Sequence, residues 1–164
     1  KKMSESGKTG IVTQAKRIKF INLWTFLVCL ALLIVNIVIY CLYNGKDTQV
    51  AQDAQLGTKI TNVVVGSLIL VTMAGSFALS VSLKKTIKAD RADGGGIKLL
   101  LLFMWIFTAF YLVMYILGNV ASVLPNGLGG NEMAWGICQI ICLCMPALTF
   151  IMGCIINHKA KKLA

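Results

Sequence analysis

Residues Ile60–Leu83 read ITNVVVGSLILVTMAGSFALSVSL. No position in this run is charged, and Gly, Ser, Thr and Ala are scattered among the aliphatic side chains. Crossing the hydrocarbon of a bilayer takes roughly 20 apolar residues in a helix. In lipid every backbone N–H and C=O must find a partner inside the protein, which leaves helices and closed barrels. The run is too long for a barrel strand and does not alternate, so it predicts a transmembrane helix. Three more stretches qualify: Phe20–Tyr43, Leu99–Leu124 and Ala134–Ile156.

The composition agrees. Of 164 residues, 57% are hydrophobic and only 13% charged, where a soluble domain carries about a quarter; mean hydropathy is +0.79. The expected fold is all-α: one integral membrane domain over 1–164, with four transmembrane helices in an up-down-up-down antiparallel bundle, because short connections make sequence neighbours antiparallel. The longest connection is Asn44–Lys59, and Pro125–Asn131, PNGLGGN, reads as a tight turn. No internal repeat is evident.

Sixteen Lys and Arg stand against six Asp and Glu, a formal +10, and every charge lies outside the four stretches. Segment 1–19 carries +5, the first connection 0, the second +3, the third −1 and the C-terminal segment +3. Lys and Arg near span ends stay on the cytoplasmic side. Both termini and the second connection are therefore expected in the cytosol, with 1–19 as a basic tail. The first span lacks a small-x-small cleavage pattern and reads as a retained signal-anchor. The scattered lysines do not suit nucleic acid.

Within the second span, Gly66, Thr72, Ala74, Gly75, Ser76 and Ala78 are small residues, with Thr72, Ser76 and Ser80 four apart and Ala74 four before Ala78. Such spacing lets helix backbones approach closely, so this helix is expected at the centre of the bundle, with a homodimer seam as the other reading. In the third span Phe103, Phe107, Tyr111 and Tyr115 run four apart, an aromatic ridge for core, lipid or a partner surface. Trp24, Trp105 and Trp135 lie near span ends, where interfacial anchors are expected. Five amides, Asn22, Asn36, Asn62, Asn119 and Gln139, lie in the spans, and each is expected to bond to a neighbouring helix.

Chemistry is harder to assemble. No Asp, Glu, Lys or Arg lies in the spans, and His158 is the lone histidine; proton relays and pumps need such groups. The stretch WGICQIICLCMP, Trp135–Pro146, holds Cys138, Cys142 and Cys144 at separations of four and two, which is not the Cys-x-x-Cys spacing of redox and zinc motifs. These read as structural thiols packing as small hydrophobes, with Pro146 kinking the helix beside them. Cys41 and Cys138 are placed for a disulfide in an oxidising compartment, and Cys154 for palmitoylation; a free thiol is the plainer reading of each. No metal, cofactor or catalytic residue is expected, and the chain reads as a non-enzyme.

Lys16, Arg17 and Lys19, with Lys84, Lys85 and Lys88 and the terminal lysines Lys159, Lys161 and Lys162, form a basic collar next to the membrane. Each such residue is worth ~1 kcal/mol toward an anionic leaflet, so membrane lipids with anionic headgroups are the expected partners. Val38–Lys46, VIYCLYNGK, matches the loose cholesterol pattern.

With the basic group AKRIKF (15–20) before the first span, small residues in the second, and short loops, the chain resembles the MARVEL-type tetraspan proteins. It has neither the Cys-Cys-Gly signature of tetraspanins nor the Trp…Cys…Cys loop of claudins. The resemblance implies a multi-pass organiser or scaffold of a membrane subdomain or vesicle membrane, in plasma membrane or endomembranes rather than an organellar inner membrane. Two alternatives remain: a small accessory subunit of a larger respiratory or transport complex, and an oligomeric pore or channel subunit lined by Thr72, Ser76 and Ser80. A homo-oligomer or larger membrane complex is expected.

Overall fold

The computed structural model describes residues 5–89, 94–120 and 132–163. Four helices follow one another: α1 (Glu5–Tyr43), α2 (Gln49–Ala89), α3 (Gly95–Tyr115), which continues through a π-helical turn (Ile116–Val120), and α4 (Glu132–Leu163). All four are long and apolar enough to cross a membrane, and among the described residues there is no strand. The chain is an all-α membrane bundle.

Cross-helix bonds fix the register. Between α1 and α2, Gln14 meets Ser82, Thr25 meets Thr72, and Asn36 meets Asn62. Residue numbers rise on one helix as they fall on the other, so the pair is antiparallel. Between α1 and α4, Asn22 donates to the Thr149 carbonyl and the Cys29 thiol faces that of Leu143. Gln139 of α4 meets Asn119 beyond α3, and Trp105 of α3 meets Ser80 of α2. The helices thus form a ring in chain order, each beside the next and α4 closing on α1.

The buried positions explain the packing. On α1 they are Ile11, Ala15, Ile18, Asn22, Thr25, Cys29 and Leu32; on α2, from Asn62, they are Gly66, Ile69, Met73, Ser76, Ser80, Leu83 and Ile87. Gln139, Cys142, Pro146, Thr149, Gly153, Ile156 and Ala160 do the same on α4. Each set alternates steps of four and three, the period of a left-handed coiled coil. Gly153 makes room for α1 against α4: a Cβ there would lie 3.0 Å from the Asn22 amide and 3.4 Å from the Lys19 Cα.

Three expectations about boundaries are corrected. Residues 5–19 are no tail: they are the first turns of α1, because Ile11, Ala15 and Ile18 make an apolar stripe that is fully buried. The first connection shrinks from Asn44–Lys59 to 44–48, since α2 begins at Gln49; Gly45 turns the chain there at φ 74°, a left-handed conformation glycine adopts without steric cost. α4 continues past Ile156 to Leu163 and passes through Pro146 as one helix. The Pro125–Asn131 turn lies outside the described residues.

Candidate functional site

The register also sets the length of the uncharged zone along the bundle. Lys59 falls opposite Ile39, three residues along each helix from the Asn36–Asn62 pair. Lys19 and Lys59 are the charges that reach farthest in from the two ends. Along α1 they are twenty residues apart, about 30 Å at 1.5 Å per residue, the thickness of bilayer hydrocarbon.

Below Lys19 the basic side chains gather. Lys16, Arg17, Lys84, Lys85 and Lys88 are exposed and Lys19 is half-buried. The register brings four further cations of α3 and α4 to the same height: Lys98, Lys159, Lys161 and Lys162. Counting Lys8, eleven of the sixteen basic residues occupy a band between the levels of Lys8 and Lys19, about 16 Å tall. All four helices contribute. Among the described residues only Glu5 supplies an acid at this end, and Asp90 and Asp93 lie outside them. The sequence alone already places the terminal lysines in this collar; Lys98 of α3 joins it once the helices are in register.

Two of these cations lie against neighbouring groups of the bundle. The Lys84 ammonium lies 4.6 Å from the Trp105 ring centre, a cation–π contact. Phe77 packs against the same ring at 5.4 Å, and the Trp105 indole N–H donates to Ser80 at 2.5 Å. The Lys159 ammonium lies over Gly96, where a Cβ would come within 2.8 Å of it.

Inside this band lies an apolar core of Ile11, Ala15, Ile18, Leu83, Ile87, Ile97, Leu101, Met104, Ile156 and Ala160. A second core, of Cys29, Leu32, Ile69, Met73, Tyr111, Tyr115 and Cys142, fills the bundle deeper in the membrane. Between them the register sets one polar layer: Asn22, Ser76, Thr108 and Thr149. Asn22 reaches the Thr149 carbonyl at 2.9 Å, and Thr149 donates to the Pro146 carbonyl at 2.9 Å. The buried Ser76 hydroxyl finds no partner among the described residues. At the far end Asn36 donates to Asn62 at 3.0 Å, and Gln139 donates to Asn119. Each of the five amides thus joins two elements.

The small residues of α2 divide. Gly66 and Ser76 are buried and Thr72 is half-buried, bonded to Thr25 at 2.8 Å. A Cβ on Gly66 would lie 2.6 Å from the Tyr115 ring, so the missing side chain makes room for that tyrosine. Ala74, Gly75 and Ala78 are corrected: they are exposed, and a Cβ on Gly75 meets nothing within 4 Å. The inward stripe follows Met73, Ser76 and Ser80, which leaves the 74/78 spacing on the outer face.

The aromatic ridge divides too. Phe103 is exposed and Phe107 half-buried, while Tyr111 and Tyr115 are core. Four residues advance a helix by about 40° beyond a full turn, so a four-spaced row winds from the lipid side into the bundle. There Tyr111 donates to the Gly66 carbonyl and Tyr115 to that of Val63, both at 3.0 Å, and Ser67 bonds the Tyr115 hydroxyl at 2.5 Å. Those two tyrosines stitch α3 to α2 and present no surface to a partner.

The cysteines are free thiols. Cys142 is buried, Cys138 packs against Gly118 of the π-helical turn, and Cys144 faces out. Cys138 is thus aimed at the end of α3 while Cys41 is exposed on α1, which corrects the disulfide reading. Cys154 is half-buried near the basic end, with His158 exposed one turn on. Among the described residues no three His, Cys, Asp or Glu converge as metal ligands. Compared with protein-family models, characterised proteins and solved structures, the chain matches none.

Proposed function

We propose that the chain is a non-enzymatic tetraspan scaffold, similar in architecture to MARVEL-type proteins, that organises a patch of plasma membrane or endomembrane through helix packing and lipid contact. One observation carries this reading. Six deep polar side chains of the described spans, Asn22, Thr25, Asn36, Tyr111, Tyr115 and Gln139, bond helix to helix. Ser76 alone in the central layer finds no partner among the described residues, and no Asp, Glu, Lys, Arg or His stands among these side chains. Transport paths and proton relays keep ionisable groups in the bundle interior; here the interior is packing.

The orientation belongs to the same proposal: both termini and the α2–α3 connection in the cytosol, the α1–α2 connection across the membrane. Impermeant thiol labelling in intact cells, in a Cys41→Ser background, tests it with single cysteines at Thr9, Gln52 and Ala89. Labelling is expected at Gln52 alone, and labelling at Thr9 or Ala89 instead overturns the orientation. For the scaffold itself, the purified chain in sealed vesicles is expected to pass neither ions nor small solutes, and native mass spectrometry to give this chain with lipid. Conductance steps refute it in favour of a pore, and stoichiometric recovery with other subunits in favour of an accessory subunit.

A further inference from the structure

We propose that the basic belt is a docking surface for the anionic headgroups of one bilayer leaflet, and that lysines of α3 and α4 contribute to it alongside those of α1 and α2. The inference names the lipid partner of the scaffold reading above and so rests on it. Eleven basic residues share a band about 16 Å tall, with Glu5 as the one acid among the described residues at this end. They project from helices packed around a core of Ile, Leu, Ala and Met, so they cannot spread apart to relieve their repulsion as a loose tail would. Anions seated among them would relieve that repulsion.

Two features select a leaflet over an acidic protein or nucleic acid. The belt encircles the bundle on all four helices, as a sheet of headgroups does, whereas a macromolecule docks on one side or on the end. It also directly adjoins the 30 Å apolar shell that starts at Lys19, and Lys84 lies on Trp105, an aromatic residue of the kind that anchors at headgroup level.

The test is electron spin resonance on the full chain in phosphatidylcholine vesicles with trace spin-labelled phosphatidylserine or phosphatidylcholine, comparing the motionally restricted fractions. Phosphatidylserine is expected to associate about fivefold more, the ratio equal to ~1 kcal/mol for one Lys contact, and the ratio to approach one at 1 M salt, where screening reaches within about 3 Å. Replacing Lys84, Lys85, Lys88, Lys98 and Lys159 together with Gln is expected to bring it below about twofold. These exposed side chains lie outside the core, and circular dichroism checks that the helices persist. Lys46→Gln with Lys59→Gln, at the opposite end, is expected to leave the ratio unchanged. A wild-type ratio of one, a belt variant that keeps fivefold selectivity, or equal loss in the opposite-end variant each overturns the proposal. So does a ratio of one together with salt-sensitive binding of poly-glutamate, which assigns the belt to an acidic polypeptide. Solute flux through the same vesicles would overturn the scaffold reading while leaving the lipid ratio intact, so the two failures are distinguishable.

Discussion

The two halves of the bundle are inverted with respect to each other. In the basic half the interior is mostly Ile, Leu, Ala and Met, with Ser80 and Asn157 among them, and the outside carries lysines. In the half within lipid the outside is Leu, Val, Ile and Phe, as at Leu68, Val71, Phe110 and Ile140. Its interior holds Asn22, Thr25, Ser76, Thr149, Tyr111 and Tyr115. One heptad geometry runs through both, but what holds it together changes with the solvent. In the proposed placement water and headgroups surround the basic half, and there burying Ile and Leu is favourable by about 25 cal/mol per Å². Where lipid tails surround the bundle, a side chain gains little by leaving them, so association relies on close packing and interhelical hydrogen bonds.

The sharpest way to break this comparison is a pair of truncations. Leu101 and Ile69 are both buried, one in each core. Leu101→Ala is expected to cost ~2–5 kcal/mol, the range for large-to-small changes in water-driven cores. Ile69→Ala should cost about half that, because the cavity remains but the transfer contribution does not. Unfolding in a mild detergent followed by circular dichroism is the measurement. Equal costs would mean that both halves are held by the same force.

Next in size is a contrast of two glycines on α2. Gly66→Leu drives a side chain into the Tyr115 ring and disturbs the tyrosine bonds to α2, an overpacking cost of ~1–3 kcal/mol. Gly75→Leu points outward from the described bundle and is expected to leave its thermal stability unchanged within error. A large effect at Gly75 would place an unseen helix against that face and revive the homodimer seam.

These contrasts mark what could be read from the sequence. The four spans and their order were legible, because length and absence of charge suffice in lipid. Which face turns inward was not. A membrane helix is apolar all round, so a row such as Phe103–Tyr115 or Ala74–Ala78 looks like a face whether it meets protein or lipid. The usable signal lay in the polar residues: Asn62, Ser76 and Ser80 fall on the inward stripe of α2, as Asn22 and Thr25 do on α1. The amphipathic start of α1 was legible too, in Ile11, Ala15 and Ile18, but the high charge of the segment fits a solvated tail equally well. The height of Lys98 needed the register, which no single helix contains.

A smaller effect is expected from the thiols. Replacing Cys138, Cys142 and Cys144 together with Ala should cost about 1 kcal/mol, mostly from the volume lost at buried Cys142, as for one methylene group. Assembly and lipid retention should persist, and elemental analysis of the purified chain should find no stoichiometric zinc, iron or copper. Stoichiometric metal, or collapse on a single Cys→Ala change, would make the lipid half a chemical site instead of a packed one.

The smallest expected effect tests the lipid half most directly. The Tyr115 hydroxyl bonds both Ser67 and the Val63 carbonyl, inside a ring that also stacks on Tyr111 at 6.1 Å. Tyr115→Phe removes the hydroxyl and keeps the ring, so the packing against Gly66 survives. Ser67→Ala removes the other partner. If hydrogen bonds in this half behave as interhelical bonds in membranes generally do, the coupling between the two substitutions is about 0.6 kcal/mol and no more than about 1.7. The value is modest because a helix separated in the bilayer still finds partners for its polar groups: the Ser67 hydroxyl already lies 2.8 Å from the Val63 carbonyl of its own helix. A double-mutant cycle by detergent unfolding measures this term free of the ring's packing. Coupling indistinguishable from zero would leave close packing alone to hold α2 to α3. Coupling of several kcal/mol would mean that the polar interior, and not the fit around Gly66, holds the lipid half together.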